Sequence, residues 1–206
     1  LMQTWSALQA ARPRFPRLAP RFNFTFSHAT QHGFDRCFRY VTQTLGCDRM
    51  DMVLVRGSTA DPAFEQGVDL DLYRAAAAQL QTLEDRRARG RPLGRLLAAR
   101  PALEREIIAR HAQGEPQLKG CTAGSLVAVV TERGELMPCE LRSESFGNLR
   151  DVDFDLEALW RSPQAQAFRE QVQGGGCHCT FETAVRTGMT FEPAWMLRLA
   201  KRAITG

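Results

Sequence analysis

Cys121-Thr-Ala-Gly-Ser-Leu-Val-Ala-Val-Val-Thr-Glu-Arg-Gly-Glu-Leu-Met-Pro-Cys139 decides the fold of the C-terminal half of this chain. Its β-branched run from Val127 to Thr131 meets Glu132-Arg-Gly134 and returns through Leu136 and Met137, which predicts a β-hairpin. Twelve residues separate Cys121 from Gly134 and four separate Gly134 from Cys139, so two thiols flank the hairpin as C-x12-G-x4-C. With Arg133 and Gly134 as a two-residue turn, Cys139 stands opposite Ala128, and Cys121 lies several residues beyond the paired register. The loop Thr122 to Ser125 must then fold back to bring the two thiols together.

Downstream, Asp155 to Trp160 and Pro163 to Val172 have helical patterns, the second opened by Ser162 as cap with Pro163 at the first helical position. Gly174-Gly-Gly176 is a hinge into Cys177-His178-Cys179. In extended backbone those two thiols share a face about 6 to 7 Å apart, and His178 points the other way. A last helix begins near Pro193 and docks through Trp195 and Leu199, while Trp160 is a further core anchor. Four thiolates are what a cubane [4Fe-4S] cluster needs for full protein ligation. Zinc also takes four, although its sites favour C-x2-C to C-x4-C knuckles, and structural thiols or disulfides are the third option. Cys37 and Cys47 are read as incidental core thiols and left out of the site.

Upstream, residues 3 to 11 read as a helix, and Phe22-Asn-Phe-Thr-Phe-Ser27 alternates with period two, the mark of a strand. Phe34, Phe38, Val41 and Leu45 follow helical steps that stop at Gly46. Met50 to Val55 is almost wholly apolar, as a parallel strand covered on both faces would be. Leu72, Ala76, Leu80 and Leu83 mark a third helix, residues 86 to 100 an Arg-rich helix end and linker, and another helix runs to about Ala112. The order is αβαβ. Two parallel strands alone leave open edges, so this unit is expected to continue into strands that the chain does not contain.

The 206 residues are 44% hydrophobic, enough for a sizeable core, and carry a net charge of +4, well short of a nucleic-acid-binding signature. No window approaches the roughly 18 apolar residues that span a bilayer. With no secretory signal, the expected setting is cytoplasmic, where thiols stay reduced and metal or cluster ligation outranks a disulfide framework.

Cys121-Thr-Ala-Gly124, Gly134-Glu-Leu-Met-Pro-Cys139, Phe146-Gly-Asn-Leu149, Leu159-Trp-Arg-Ser162 and Cys177-His-Cys-Thr180 together resemble, in order and spacing, the SPASM/Twitch auxiliary-cluster domain of radical S-adenosylmethionine (radical SAM) enzymes. The strands around Thr25 to Ser27 and Met50 to Arg56 are similar to the last two of that superfamily's partial (β/α)6 TIM-like barrel. The resemblance implies an α/β architecture: residues 1–114 as the C-terminal portion of the barrel, and residues 115–206 as a small α+β domain with a hairpin. It implies Cys121, Cys139, Cys177 and Cys179 as ligands of an auxiliary [4Fe-4S] cluster in an oxidoreductase acting on a peptide or small molecule. Thr25, Ser27 and Arg56 are implied contacts of S-adenosylmethionine.

Two departures narrow the expectation. No C-x3-C-x2-C occurs, so the radical-generating cluster and S-adenosylmethionine are expected only with a missing N-terminal barrel half or a partner chain, and this chain alone is not expected to be active. Thr183 stands where relatives often carry a further cysteine, which favours the single-cluster Twitch type. The alternative is a non-catalytic module, holding zinc or a degenerate cluster and acting through a partner.

Overall fold

Alternation of Phe22, Phe24 and Phe26 with Asn23 and Thr25 forms strand β1 (Phe22–Phe26), and the apolar run after Arg49 forms β2 (Met50–Leu54). The structure, a computed structural model, describes residues 1–57, 61–64, 66–115, 121–174, 177 and 179–205. The two strands pair in parallel, Phe22 opposite Met50 and Phe26 opposite Leu54. Phe26, Met50, Met52 and Leu54 are buried while Asp51 and Val53 are only half covered, so β2 is sealed on one face rather than both.

Helix α1 (Met2–Ala11) lays Trp5 on Phe22 with ring centroids 4.9 Å apart. The strands are joined through α2 (Phe34–Arg39), which runs on into a π-helical turn, Tyr40–Thr44, where Leu45 N–H donates to the Tyr40 carbonyl at 3.0 Å. Gly46, with φ of 63°, ends the helix in the left-handed conformation that a side chain would oppose.

No barrel forms. Among the described residues the parallel sheet has two strands. Each added parallel strand requires a crossover of a dozen or more residues that returns to the sheet. After β2 the chain instead enters α3 (Leu70–Ala88) and α4 (Gly94–Ala112), which pack on each other as a helical hairpin. Asp69 caps α3 by accepting from the N–H groups of Asp71 and Leu72 at 2.8 and 3.1 Å. Residues 94 to 100, expected as linker, belong to α4, and Pro101 lies inside that helix. Proline removes one intrahelical bond, and the loss is offset by burial of Ala98, Ala99, Ala102 and Leu103.

Antiparallel strands β3 (Val129–Val130), β4 (Glu135–Met137) and β5 (Gly147–Asn148) make the second sheet, in that order. Val129 pairs with Met137 and Val130 with Leu136, so the turn has three residues instead of two. Thr131 N–H donates to Glu135 O at 3.0 Å and Gly134 N–H to Thr131 O at 2.9 Å, with Gly134 at φ 85°. A turn closed by a left-handed glycine in this way shifts the register by one, and Cys139 comes into line with Val127 rather than Ala128.

Helices α5 (Leu156–Trp160) and α6 (Pro163–Gln173) cover this sheet, and Ser162 Oγ accepts from Ala165 N–H at 3.2 Å as the expected cap. Leu136, Phe146, Leu159, Ala165, Phe168 and Val172 form a second apolar core. The chain ends in α7 (Glu182–Phe191) and α8 (Pro193–Thr205), both of which pack on α4. Their Val185, Met189, Trp195 and Leu199 join Ile107 and Ile108 in the first core. Among the described residues no helix is long and apolar enough to cross a membrane.

Candidate metal centre

Cys121 is buried at the mouth of a tight loop, in which the N–H groups of Ser125, Leu126 and Val127 all donate to the Thr122 carbonyl at 3.1, 2.9 and 3.2 Å. This is the fold-back that the hairpin demanded. Gly124 N–H reaches the carbonyls of Val127 at 2.7 Å and Pro138 at 3.2 Å, tying the loop to the strand that carries Cys139. Its φ is +69°, and a Cβ there would stand 3.0 Å from both Phe146 Cζ and Phe168 Cδ1, so glycine is required twice over. Arg169 locks the loop from outside, its Nε donating to Gly124 O at 2.6 Å and its other arm to Trp160 O.

Cys139 follows Pro138 at the end of β4 and is buried. The N–H groups of Leu141 and Arg142 donate toward its sulfur, that of Ala123 donates to the Cys121 sulfur at 3.4 Å, and that of Phe181 toward Cys179. Donors aimed at sulfur stabilise thiolate and, in iron-sulfur sites, tune the metal. Cys177 and Cys179 are half-buried against the second core, and Phe181, which opens α7, is buried beside them. His178 and the hinge glycines 175 and 176 lie outside the described residues.

The four thiols come from three separate stretches of chain into one place. Cys121 hydrogen-bonds Cys177, Cys177 hydrogen-bonds Cys179, and Cys139 feels the charge of Cys179. The Cys177 hydrogen bond draws the Cys121 thiol below its usual range. The other three move up: Cys139 through burial, Cys177 through its bond to Cys121, and Cys179 through its bond to Cys177 and then burial. Crowded thiols cannot all ionise unaided, and a positively charged inorganic core would let all four do so. Among the described residues no three His, Cys, Asp or Glu side chains are grouped so as to hold a single metal ion. The donor set, all sulfur with backbone N–H groups behind it and an apolar shell around it, fits an iron-sulfur cluster.

The other expected site residues lie at the carboxyl ends of the parallel strands, where open α/β sheets hold ligands. Thr25 has an exposed side chain. Ser27 is buried, its Oγ 3.1 Å from Thr30 Oγ1. Arg56 is committed elsewhere: NH1 donates to Glu182 Oε1 at 2.9 Å, and Nε and NH2 donate to Glu140 Oε1 at 3.1 and 2.5 Å. Cys37 and Cys47 sit in the first core, Cys47 with its thiol 3.3 Å from Arg49 O, well apart from the four.

Sequence reasoning missed α7 and with it Glu182, because β-branched Thr183, Val185 and Thr187 and the internal Gly188 lower helix propensity. The strongest available signal was Ala184, Val185 and Met189 at helical spacing, and all three are buried. The family model for SPASM, an iron-sulfur cluster-binding domain, matches residues 121–180, running from the first cysteine of the set to the residue after the last. No curated protein and no solved structure matches the chain. Residues 121–180 of this chain are a SPASM iron-sulfur cluster-binding domain, of the type typical of radical SAM enzymes.

Proposed function

We propose that this chain is the cluster-bearing part of a radical SAM oxidoreductase and that Cys121, Cys139, Cys177 and Cys179 hold one auxiliary [4Fe-4S] cluster. The observation that carries the reading is that Cys121 and Cys139 are buried in one apolar core, with Cys177 and Cys179 packed against it, inside a matched iron-sulfur domain. Such a cluster supplies one-electron transfer. Full ligation by four protein thiolates leaves no open iron for substrate, which favours electron relay from a substrate radical, or support of the fold, over substrate coordination. Thr183, in the first turn of α7, is no thiol, in keeping with a single cluster.

On this reading residues 1–114, with their two parallel strands, are a truncated C-terminal portion of a radical SAM barrel and 115–206 the auxiliary unit, with a peptide or small molecule as substrate. Cleavage of S-adenosylmethionine needs a C-x3-C-x2-C motif that these 206 residues do not contain, so it is assigned to further chain or to a partner. Of its proposed contacts Thr25, Ser27 and Arg56, Thr25 is the most accessible, since Ser27 is buried on Thr30 and Arg56 holds two carboxylates. Anaerobic reconstitution tests the reading: brown protein with about four irons and four sulfides per chain is expected. Loss of that stoichiometry is expected in each single Cys→Ser variant of the four, and none in Cys37→Ser. Colourless protein with stoichiometric zinc would replace the reading with a non-catalytic zinc module.

A further inference from the structure

Arg56 leaves the end of β2 and crosses to the cysteine domain. Its guanidinium takes Glu140 on one side and Glu182 on the other, partners 84 and 126 residues away. Glu140 directly follows Cys139. Glu182 stands three residues after Cys179 and opens α7. The guanidinium also lies over the Phe181 ring, 5.0 Å from its centroid, and Phe181 N–H is the donor aimed at Cys179. The Arg56 and Glu182 side chains are only 17% and 15% exposed, so this contact is poorly screened, whereas Glu140 at 46% faces water.

From this geometry we infer that Arg56 is a positioning residue for the cluster, holding the Cys139 and Cys179 arms at their working separation and setting the reduction potential through its charge. The inference rests on the four-cysteine reading above. A planar guanidinium can grip two carboxylates at once, which an ammonium cannot do in the same fixed geometry. Reduction adds a negative charge to the cluster, and a nearby cation favours that form while nearby carboxylates oppose it. Arg56 and Glu140 should therefore move the potential in opposite directions, and a bracket that was only mechanical would not give opposite signs.

The test is reconstitution of the full chain as wild type, Arg56→Gln, Arg56→Lys and Glu140→Gln, followed by iron and sulfide analysis and a redox titration monitored by paramagnetic resonance. Arg56→Gln is expected to load less cluster and to shift the loaded fraction toward the oxidised form about tenfold, a fall of about 59 mV for a one-electron couple. Arg56→Lys is expected to recover the potential but not the full loading. Glu140→Gln is expected to raise the potential by less, because the carboxylate is more exposed. Equal midpoints in all loaded variants would overturn the inference while leaving the cluster assignment intact. Should Arg56→Gln load no cluster, Glu140→Gln still decides the electrostatic part by the sign of its shift, and Arg56→Lys by keeping the wild-type midpoint. A wild-type protein that binds no cluster would overturn the assignment itself and this inference with it.

Discussion

Replacing Gly124 with alanine tests whether the Cys121 loop is shaped by backbone conformation and close packing together. At φ +69° an alanine pays for a left-handed conformation, about 1 kcal/mol. Its Cβ also meets Phe146 Cζ and Phe168 Cδ1 at 3.0 Å, and forcing a methyl into a filled core costs about 1–3 kcal/mol. The sum is about 2–4 kcal/mol. With a urea m-value of about 2–3 kcal/mol/M, the unfolding midpoint of the second core should fall by about 1 M. Circular dichroism on the cluster-free protein measures that midpoint. Gly124→Ala in a Phe168→Leu background separates the two causes, since the smaller side chain relieves part of the contact and leaves the backbone cost. The double substitution should show positive coupling. Because Ala123 N–H donates to the Cys121 sulfur from the same loop, iron incorporation should fall along with stability. A midpoint within about 0.2 M of wild type would refute the claim that this glycine shapes the loop.

Further outcomes concern the scaffold. Ser162→Ala removes the oxygen that accepts from Ala165 N–H and should lower stability by about 1 kcal/mol, read by thermal unfolding, with Ser162→Asp restoring it. Tyr73 is fully buried, yet its hydroxyl finds no hydrogen-bond partner among the described residues, so Tyr73→Phe should be neutral or stabilising by about 1 kcal/mol. A loss above about 1 kcal/mol in urea unfolding would contradict it. Glu104 grips Arg186 with both oxygens, at 2.8 and 2.9 Å, joining α4 to α7. Since the Arg186 side chain is 51% exposed and keeps much of its solvation, Glu104→Gln should cost only about 1 kcal/mol. Hydrogen exchange on the amides of α7 should report that loosening first.

Much of this architecture follows from periodicity alone. The Phe22 to Phe26 alternation, the apolar stripe of α3 and the Ser162-Pro163 opening of α6 each contain their structural cause within a few neighbouring residues. Gly90, Pro92 and Gly94 suggested a linker up to residue 100, whereas α4 already begins at Gly94, and burial of Ala98, Ala99 and Ala102 carries it on through Pro101. Hairpin register failed by one residue for a similar reason. Arg133-Gly134 suits a two-residue turn as well as a three-residue loop, and the choice rests on pairing with β5, where Leu149 N–H donates to Gly134 O at 2.8 Å.

The iron-sulfur domain was legible because the cysteine spacing and the motifs between the thiols are written along the chain, and the matched residues 121–180 span all four cysteines. Tertiary structure alone decided what stands around them. Arg56, Glu140 and Glu182 are ordinary charged residues at unremarkable positions, and only docking of the β2 end against the start of α7 makes them one group. Ionic contacts across 84 and 126 residues leave no periodic trace. The extent of the parallel sheet belongs with them, because a strand pattern specifies which face is apolar but not how many partners its edges find.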